Sequence, residues 1–184
     1  WFAKNVRQHA PYDVVFVNGD LIDGPGKRSG GVEQLTTDRR KQSRWAEQAI
    51  RLAKSAKTRF VFTFGTDYHV GDAEDFEADV AHSFNAKIGA HEWVDVNGCV
   101  FDLKHHCGSS SVPHGRHTPT AREHLWNLLW HEAGEQPHSD VLIRSHVHYF
   151  NHCGGKDWLA MTTPALQGLG TRFGSRRCSG TVDY

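Results

Sequence analysis

The sequence predicts an α/β protein, a layered α/β/β/α sandwich with mixed sheets. Three observations carry this. Short β-branched and aromatic runs at 13–18 and 59–64 each close on a glycine and flank an amphipathic segment, the pattern of a βαβ unit. A hairpin signal, Asn97-Gly98, lies between two later apolar runs. No repeat, low-complexity tract or linker interrupts the chain, so one domain over residues 1–184 is expected.

Each element has its own reason. Residues 13–18 (DVVFVN) read as a buried strand ending at Gly19, and a glycine-rich loop follows at 24–31. Residues 38–56 read as a helix with Trp45, Ala49, Leu52, Ala53 and Ala56 on one face and Arg and Lys opposite. Residues 59–64 (RFVFTF) read as a second buried strand closing at Gly65, reached by a crossover of the usual right hand. A helix is expected over 73–85, and strands over 91–96 and 99–105 around the hairpin turn. Thr118 and Pro119 read as cap and first-turn residue of a helix running to His131. Residues 140–144 (DVLIR) predict a short strand, 158–162 a weaker one, and 181–184 the start of another. The opening WFAKNVRQHA resembles the middle of a helix and lacks an initiator Met. A fragment is therefore expected, incomplete at the N-terminus and at the C-terminus.

Composition narrows the class. Hydrophobic residues are 38% and charged residues 23% of 184, which fits a soluble globular chain. No apolar run approaches the roughly 20 residues that span a bilayer, so no membrane partner is expected. The formal net charge is zero, so overall charge does not call for nucleic acid. A local basic run, Arg39, Arg40, Lys41 and Arg44, reads first as a solvated helix face, with nucleic acid as the alternative partner. Four cysteines without CxxC spacing point to a reducing, cytoplasmic setting. Histidine is the outlier: 14 residues, many in short clusters, of the commonest metal-ligating side chain.

Four polar clusters follow directly on predicted strands. They are Asn18 to Asp23 (NGDLID), Gly65 to His69 (GTDYH), His105-His106, and Ser145 to His148 (SHVH). In open α/β sheets ligands bind at the carboxyl ends of strands, so a metal site is expected there. Each cluster alone has a plainer reading. An Asp after a strand-Gly corner serves as a turn residue, and one histidine of a pair can face solvent. Trp126, Leu129 and Trp130 read as packing residues rather than substrate contacts. The ordered set is harder to explain by accident, and carboxylate with imidazole suits Mn, Fe or Zn rather than Ca.

In that order the clusters resemble the calcineurin-like metallophosphoesterases, whose motifs run DxH, GDxxD, GNH, a lone His after a strand, and GHxH. Here GDLID stands at Gly19 to Asp23, a strand-end His at His105 or His106, and SHVH at Ser145 to His148. The wording GTDYHVG, KHH and IRSHVHYF is most similar to the members found in phages and prophages, which implies a host cytoplasm. The resemblance implies two divalent metal ions (Mn, Fe or Zn), with Asp20 bridging them. It gives His146 and one of His105 or His106 to the second ion and His148 to the first. His105 is preferred because its parity matches Phe101 and Leu103. The DxH motif is absent from this chain, so the first site is incomplete. Thr66 replaces a ligand Asn, Ser145 replaces Gly, and Gly24 stands where an Arg often follows GDxxD.

The activity implied is hydrolysis of phosphoesters, phosphodiester or nuclease-like substrates ahead of phosphomonoesters. His69 is expected to donate the proton to the leaving oxygen, and Asp23 to orient it. Arg144 is a candidate for substrate phosphate, with a structural salt bridge as its alternative. Two rival readings stand beside this: a non-catalytic member of the fold, and a closed zinc module built from His105, His106, Cys107, His152 and Cys153. The sequence leaves the oligomeric state undetermined.

Overall fold

The computed structural model describes residues 1–27, 30–70 and 75–166. They group into two compact units, residues 1–90 and the chain from His91 onward. No described helix is long and apolar enough to cross a membrane.

The first unit runs α1 (Phe2–His9), β1 (Val14–Asn18), α2 (Arg39–Arg51), β2 (Arg59–Thr63), α3 (Asp67–Val70), α4 (Phe76–Ser83) and β3 (Lys87–Gly89). Its sheet is wholly parallel in the order β1-β2-β3, with Val15 opposite Phe60 and Val17 opposite Phe62. The βαβ unit is thus β1-α2-β2. Phe60, Val61, Phe62 and Thr63 are all buried, so β2 is covered on both faces. That is why its sequence is an unbroken apolar run rather than an alternating one. Phe60 and Phe62 meet Phe84 at ring distances of 4.6 and 5.9 Å, with Val80, Ala81, Ile50 and Ile88 around them.

Two details depart from the sequence expectation. α2 ends at Arg51, and Ala53 N–H then bonds to Ile50 carbonyl in a tightened last turn. Its buried residue is Gln42, not Trp45, which remains 39% exposed. Gln42 is inside because its amide satisfies main chain: it accepts from Gly24 N–H and donates to the carbonyls of Gly24 and Thr36. The helix expected over 73–85 starts among residues that are not described, and α4 is seen from Asp75, whose carboxylate caps Ala78 N–H.

The second unit runs β4 (Glu92–Val96), β5 (Cys99–Leu103), α5 (His117–Glu132), β6 (Val141–Arg144), β7 (Asn151–Gly154) and β8 (Leu159–Thr162). Its five-stranded sheet has the order β4-β5-β6-β8-β7, with parallel β5-β6 and β6-β8 pairs and antiparallel outer pairs. The mixed character expected of the sheets therefore lies in this unit. Asn97 and Gly98 both take positive φ (55° and 86°), as a two-residue hairpin turn requires. Thr118 is not the cap: α5 begins one residue earlier, after a short 3₁₀ turn at Pro113–Gly115. β7 and β3 were not expected; at four and three residues they are too short to show periodicity. The strand expected at 181–184 lies outside the described residues.

α5 buries polar residues and exposes apolar ones. Asn127 is 2% exposed, accepting from Ser139 N–H and donating to Pro137 carbonyl. Trp126, Leu129 and Trp130 are 48%, 51% and 45% exposed, which corrects their reading as packing residues.

A buried charge network ties α5 to the sheet. Arg144, 1% exposed, donates to Asp102 Oδ1 at 2.6 Å, to Asp102 carbonyl at 2.9 Å and to Glu123 Oε2 at 2.9 Å. His91 Nε2 reaches Asp102 at 2.8 Å, and Lys104 reaches Glu123 at 2.7 Å. Burial alone would raise the pKa of both carboxyls. The His91 bond and Arg144 outweigh it for Asp102, and Lys104 and Arg144 for Glu123, so both lie below their ordinary values.

Two outcomes are expected. Arg144→Met leaves Asp102 buried without its guanidinium partner and with only His91 beside it, so the urea-unfolding free energy should fall by about 3–5 kcal/mol. Folding depresses both carboxyl pKa values, so their stabilisation is complete above the unfolded values of 3.8 and 4.5. It is lost as the pH falls below them toward the folded values, and the urea midpoint measured against pH should drop over that acid range.

Candidate metal centre

In the first unit the site is a pair of loops at the carboxyl ends of β1 and β2. The chain turns at Gly19 and Asp20 (φ 76° and 53°) directly after β1. Gly65 closes β2 in contact with the Asp20 main chain, so close that a Cβ there would overlap Asp20 N and Oδ1. Only glycine admits that approach. Thr66 then donates to Asp20 Oδ1 twice, from its N–H at 2.7 Å and its hydroxyl at 3.0 Å. Thr66, which stands where the resemblance places a ligand Asn, is in this unit a residue that orients the Asp20 carboxylate.

Glu77 fastens the two loops and was missed in the sequence. It is fully buried on α4, and its carboxylate accepts Leu21 N–H at 2.9 Å and Gly65 N–H at 2.6 Å. The only signal was an acid in the first turn of a helix, which ordinarily reads as helix-dipole complementarity.

His69 lies in the one-turn helix α3, which begins on Thr66 carbonyl. Its Nδ1 is 3.0 Å from the main-chain carbonyl of Asp23. A carbonyl only accepts, so Nδ1 carries the hydrogen. Nε2 stands 3.7 Å from Asp20 Oδ2. Asp23 therefore meets His69 through its backbone rather than its carboxylate. Gly24 (φ 75°) lies against His69 carbonyl, where a Cβ would overlap it.

In the second unit His105 and His106 follow β5, and Ser145 to His148 follow β6. Ser145 N–H bonds to His105 carbonyl at 2.9 Å, joining the two strand ends. The His146 ring meets both neighbours, stacked on His106 at 4.7 Å and edge-on to His105 at 5.5 Å. His105 is 4% exposed and His106 is exposed. His146 and His148 take positive φ (66° and 64°). The residues between and after them, Val147 and Tyr149, are buried together with Cys107. Ser145 Oγ is 2.8 Å from Thr163 Oγ1.

Five non-glycine residues among the described ones have positive φ: Asp20, Asn85, Asn97, His146 and His148. Asn85 follows α4 and Asn97 makes the hairpin, ordinary places for this conformation. The other three are ligand candidates already singled out by motif order.

Among the described residues, Asp20 of the first unit and His105 and His146 of the second each offer a ligand atom for a metal ion. A carboxylate with imidazoles suits Mn, Fe or Zn, so the donor set fits the metals expected. His106 and His148 fall outside that set. His105, His106, Cys107, His152 and Cys153 form no such group among the described residues. Cys107 is 2% exposed, and burial pushes its thiol up to about 11. Arg144 occupies the buried network described above, the salt-bridge alternative to a phosphate contact.

Glu77→Gln tests the clamp. It turns one acceptor oxygen into a donor facing an N–H, at a cost of roughly 1–3 kcal/mol in urea unfolding. Unchanged stability would show that the two loops hold without the carboxylate.

No protein-family profile matches the chain, and no curated protein does. Among solved structures it is similar to a single mutant of Vps29 from Entamoeba histolytica, at 12% identity and a TM-score of 0.46, covering 93% of this chain and 67% of that one. A double mutant of the same protein gives 11% identity and 0.45, covering 89% and 63%. A protein of unknown function from Aquifex aeolicus gives 13% and 0.40, covering 80% and 66%. The chain thus spans about 63% of the length of the double mutant. Likeness at this level is too slight to carry function.

Proposed function

We propose that the protein is a metal-dependent phosphoesterase of the calcineurin-like kind, acting on phosphodiesters ahead of phosphomonoesters. One observation supports this most. Asp20, His146 and His148, chosen from motif order, hold left-handed backbone on loops at the carboxyl ends of β1 and β6. Such backbone is unfavourable for residues with a Cβ and clusters at functional sites.

The proposed ligands are Asp20 from the first unit and His105, His146 and His148 from the second, with His106 as the alternative to His105. When bound, divalent ions there would supply Lewis-acid stabilisation of phosphoryl charge and an activated water. The chain's own residues do the rest. Thr66 fixes Asp20 through two bonds to Oδ1. Asp23 carbonyl holds Nδ1–H of His69, so a proton carried on Nε2 is the one delivered to the leaving oxygen.

Calorimetric titration with Mn or Zn measures the metal part. Thr66→Val should weaken binding by about 10-fold, as loss of an orienting partner does, and Asp20→Asn should remove it. Binding unaffected by Asp20→Asn would remove the metal assignment.

Leaving-group dependence measures the acid. His69→Ala should slow alkyl phosphodiesters by about 10²–10⁴-fold and nitrophenyl esters far less, with metal content intact. Asp23→Asn should change neither ratio, because its contact to His69 is through the main chain. Equal slowing of both esters by His69→Ala would make the residue a positioning group instead.

A further inference from the structure

We infer that the exposed face of α2 is a docking surface for single-stranded nucleic acid. The charge is uneven along the chain. Residues 39–59 hold eight Lys and Arg and one acid, Glu47, a net charge of +7. The chain as a whole is neutral, so the remaining residues carry −7. The basic block is therefore a local feature, not a consequence of composition.

The fold turns the block outward. Arg40, Lys41, Arg44 and Arg51 on α2 are exposed, as are Lys54 and Lys57 beyond it. Positions 40, 41, 44, 45, 48 and 51 share one helical face. From Arg40 to Arg51 it extends roughly 17 Å at 1.5 Å per residue. The burial of Gln42 fixes that orientation, because its three bonds to Gly24 and Thr36 hold the opposite face inward. Arg40, Ser43 and Arg44 also line a pocket of about 360 Å³ with Phe76 and Asp79.

The acids nearby reduce the field, but the exposed cations Arg40, Lys41, Arg44, Lys54 and Lys57 outnumber them. Glu47 pairs with Arg51 at 2.5 Å. The Asp38 carboxylate accepts from Arg40 and Lys41 N–H and keeps its charge at the helix start. Asp79 is the acid on the pocket wall.

Trp45 decides which polyanion fits. It is 39% exposed in the middle of the cations, with the Lys41 ammonium 5.1 Å from its ring centre. An aromatic face set among cations matches an unpaired strand, whose phosphates meet the charges while a base stacks on the ring. A duplex hides its base faces, so the ring favours an unpaired strand over a duplex. This surface deepens the phosphoesterase reading by naming its substrate class, a nucleic-acid strand, and rests on that reading only for hydrolysis.

The test is fluorescence titration of the whole chain with an oligothymidylate in EDTA, so that no metal-dependent step enters. Binding should weaken as salt rises. The Arg40→Gln, Lys41→Gln, Arg44→Gln triple variant should flatten the log–log salt slope by about 2, at about 0.7 for each phosphate no longer neutralised. Trp45→Ala should lower affinity about tenfold, Trp45→Phe should restore most of it, and both should lose the part of the tryptophan quench that Trp45 supplies. A Lys41→Gln, Arg44→Gln double variant, checked by its urea midpoint, replaces the triple if that fails to fold. Absence of salt-dependent binding, or an unchanged slope in a folded variant, overturns the inference. Binding to phosphatidylglycerol vesicles with none to the oligonucleotide overturns it in favour of a membrane surface. Binding without hydrolysis on adding Mn supports the surface and counts against the phosphoesterase reading alone.

Discussion

The arrangement of the first unit's loops depends on one buried carboxylate. Glu77 accepts an N–H from the loop after β1 and another from the loop after β2. Two strands that end side by side leave their loop amides without ladder partners, and burying such amides unpaired is costly. Glu77 satisfies one from each loop at once. With the loops joined, Gly65 lies against Asp20, and Thr66 is brought where both its donors reach Oδ1. The position of Asp20 thus follows from a residue that offers no ligand itself.

The second unit solves the same problem with charge pairs. Arg144 is the last residue of β6, and the histidine loop starts at its neighbour. A buried guanidinium needs partners for its donors, and Asp102 and Glu123 supply them from β5 and α5. The strand end is fixed before the chain enters the two left-handed residues His146 and His148. Val147 and Tyr149, buried with Cys107, anchor the same turn from its apolar side.

α2 and α5 show a further regularity. Each turns polar residues inward and leaves large or charged ones outside. Gln42 and Asn127 are buried because loop amides and carbonyls need them, not because the helices are amphipathic in the ordinary sense. A helix recruited to satisfy loops gives up part of its apolar face, and Trp45, Trp126 and Trp130 are exposed as a result.

The sequence alone determined the α/β class, the β1-α2-β2 unit, the hairpin at Asn97-Gly98 and the strand-end placement of the candidate ligands. These follow from local signals: apolar runs, glycine corners and side-chain period. It could not determine the short strands β3 and β7, which are too brief for any period to register. Nor could it determine that Thr66 orients Asp20, that Asp23 meets His69 through its backbone, or that Arg144 is committed to Asp102 and Glu123. Those contacts join residues 21 to 46 positions apart. Only the tertiary structure decided them, because a hydrogen bond is set by which atoms the fold brings within about 3 Å, and the residue type at a position states only what it could bond, not what it meets.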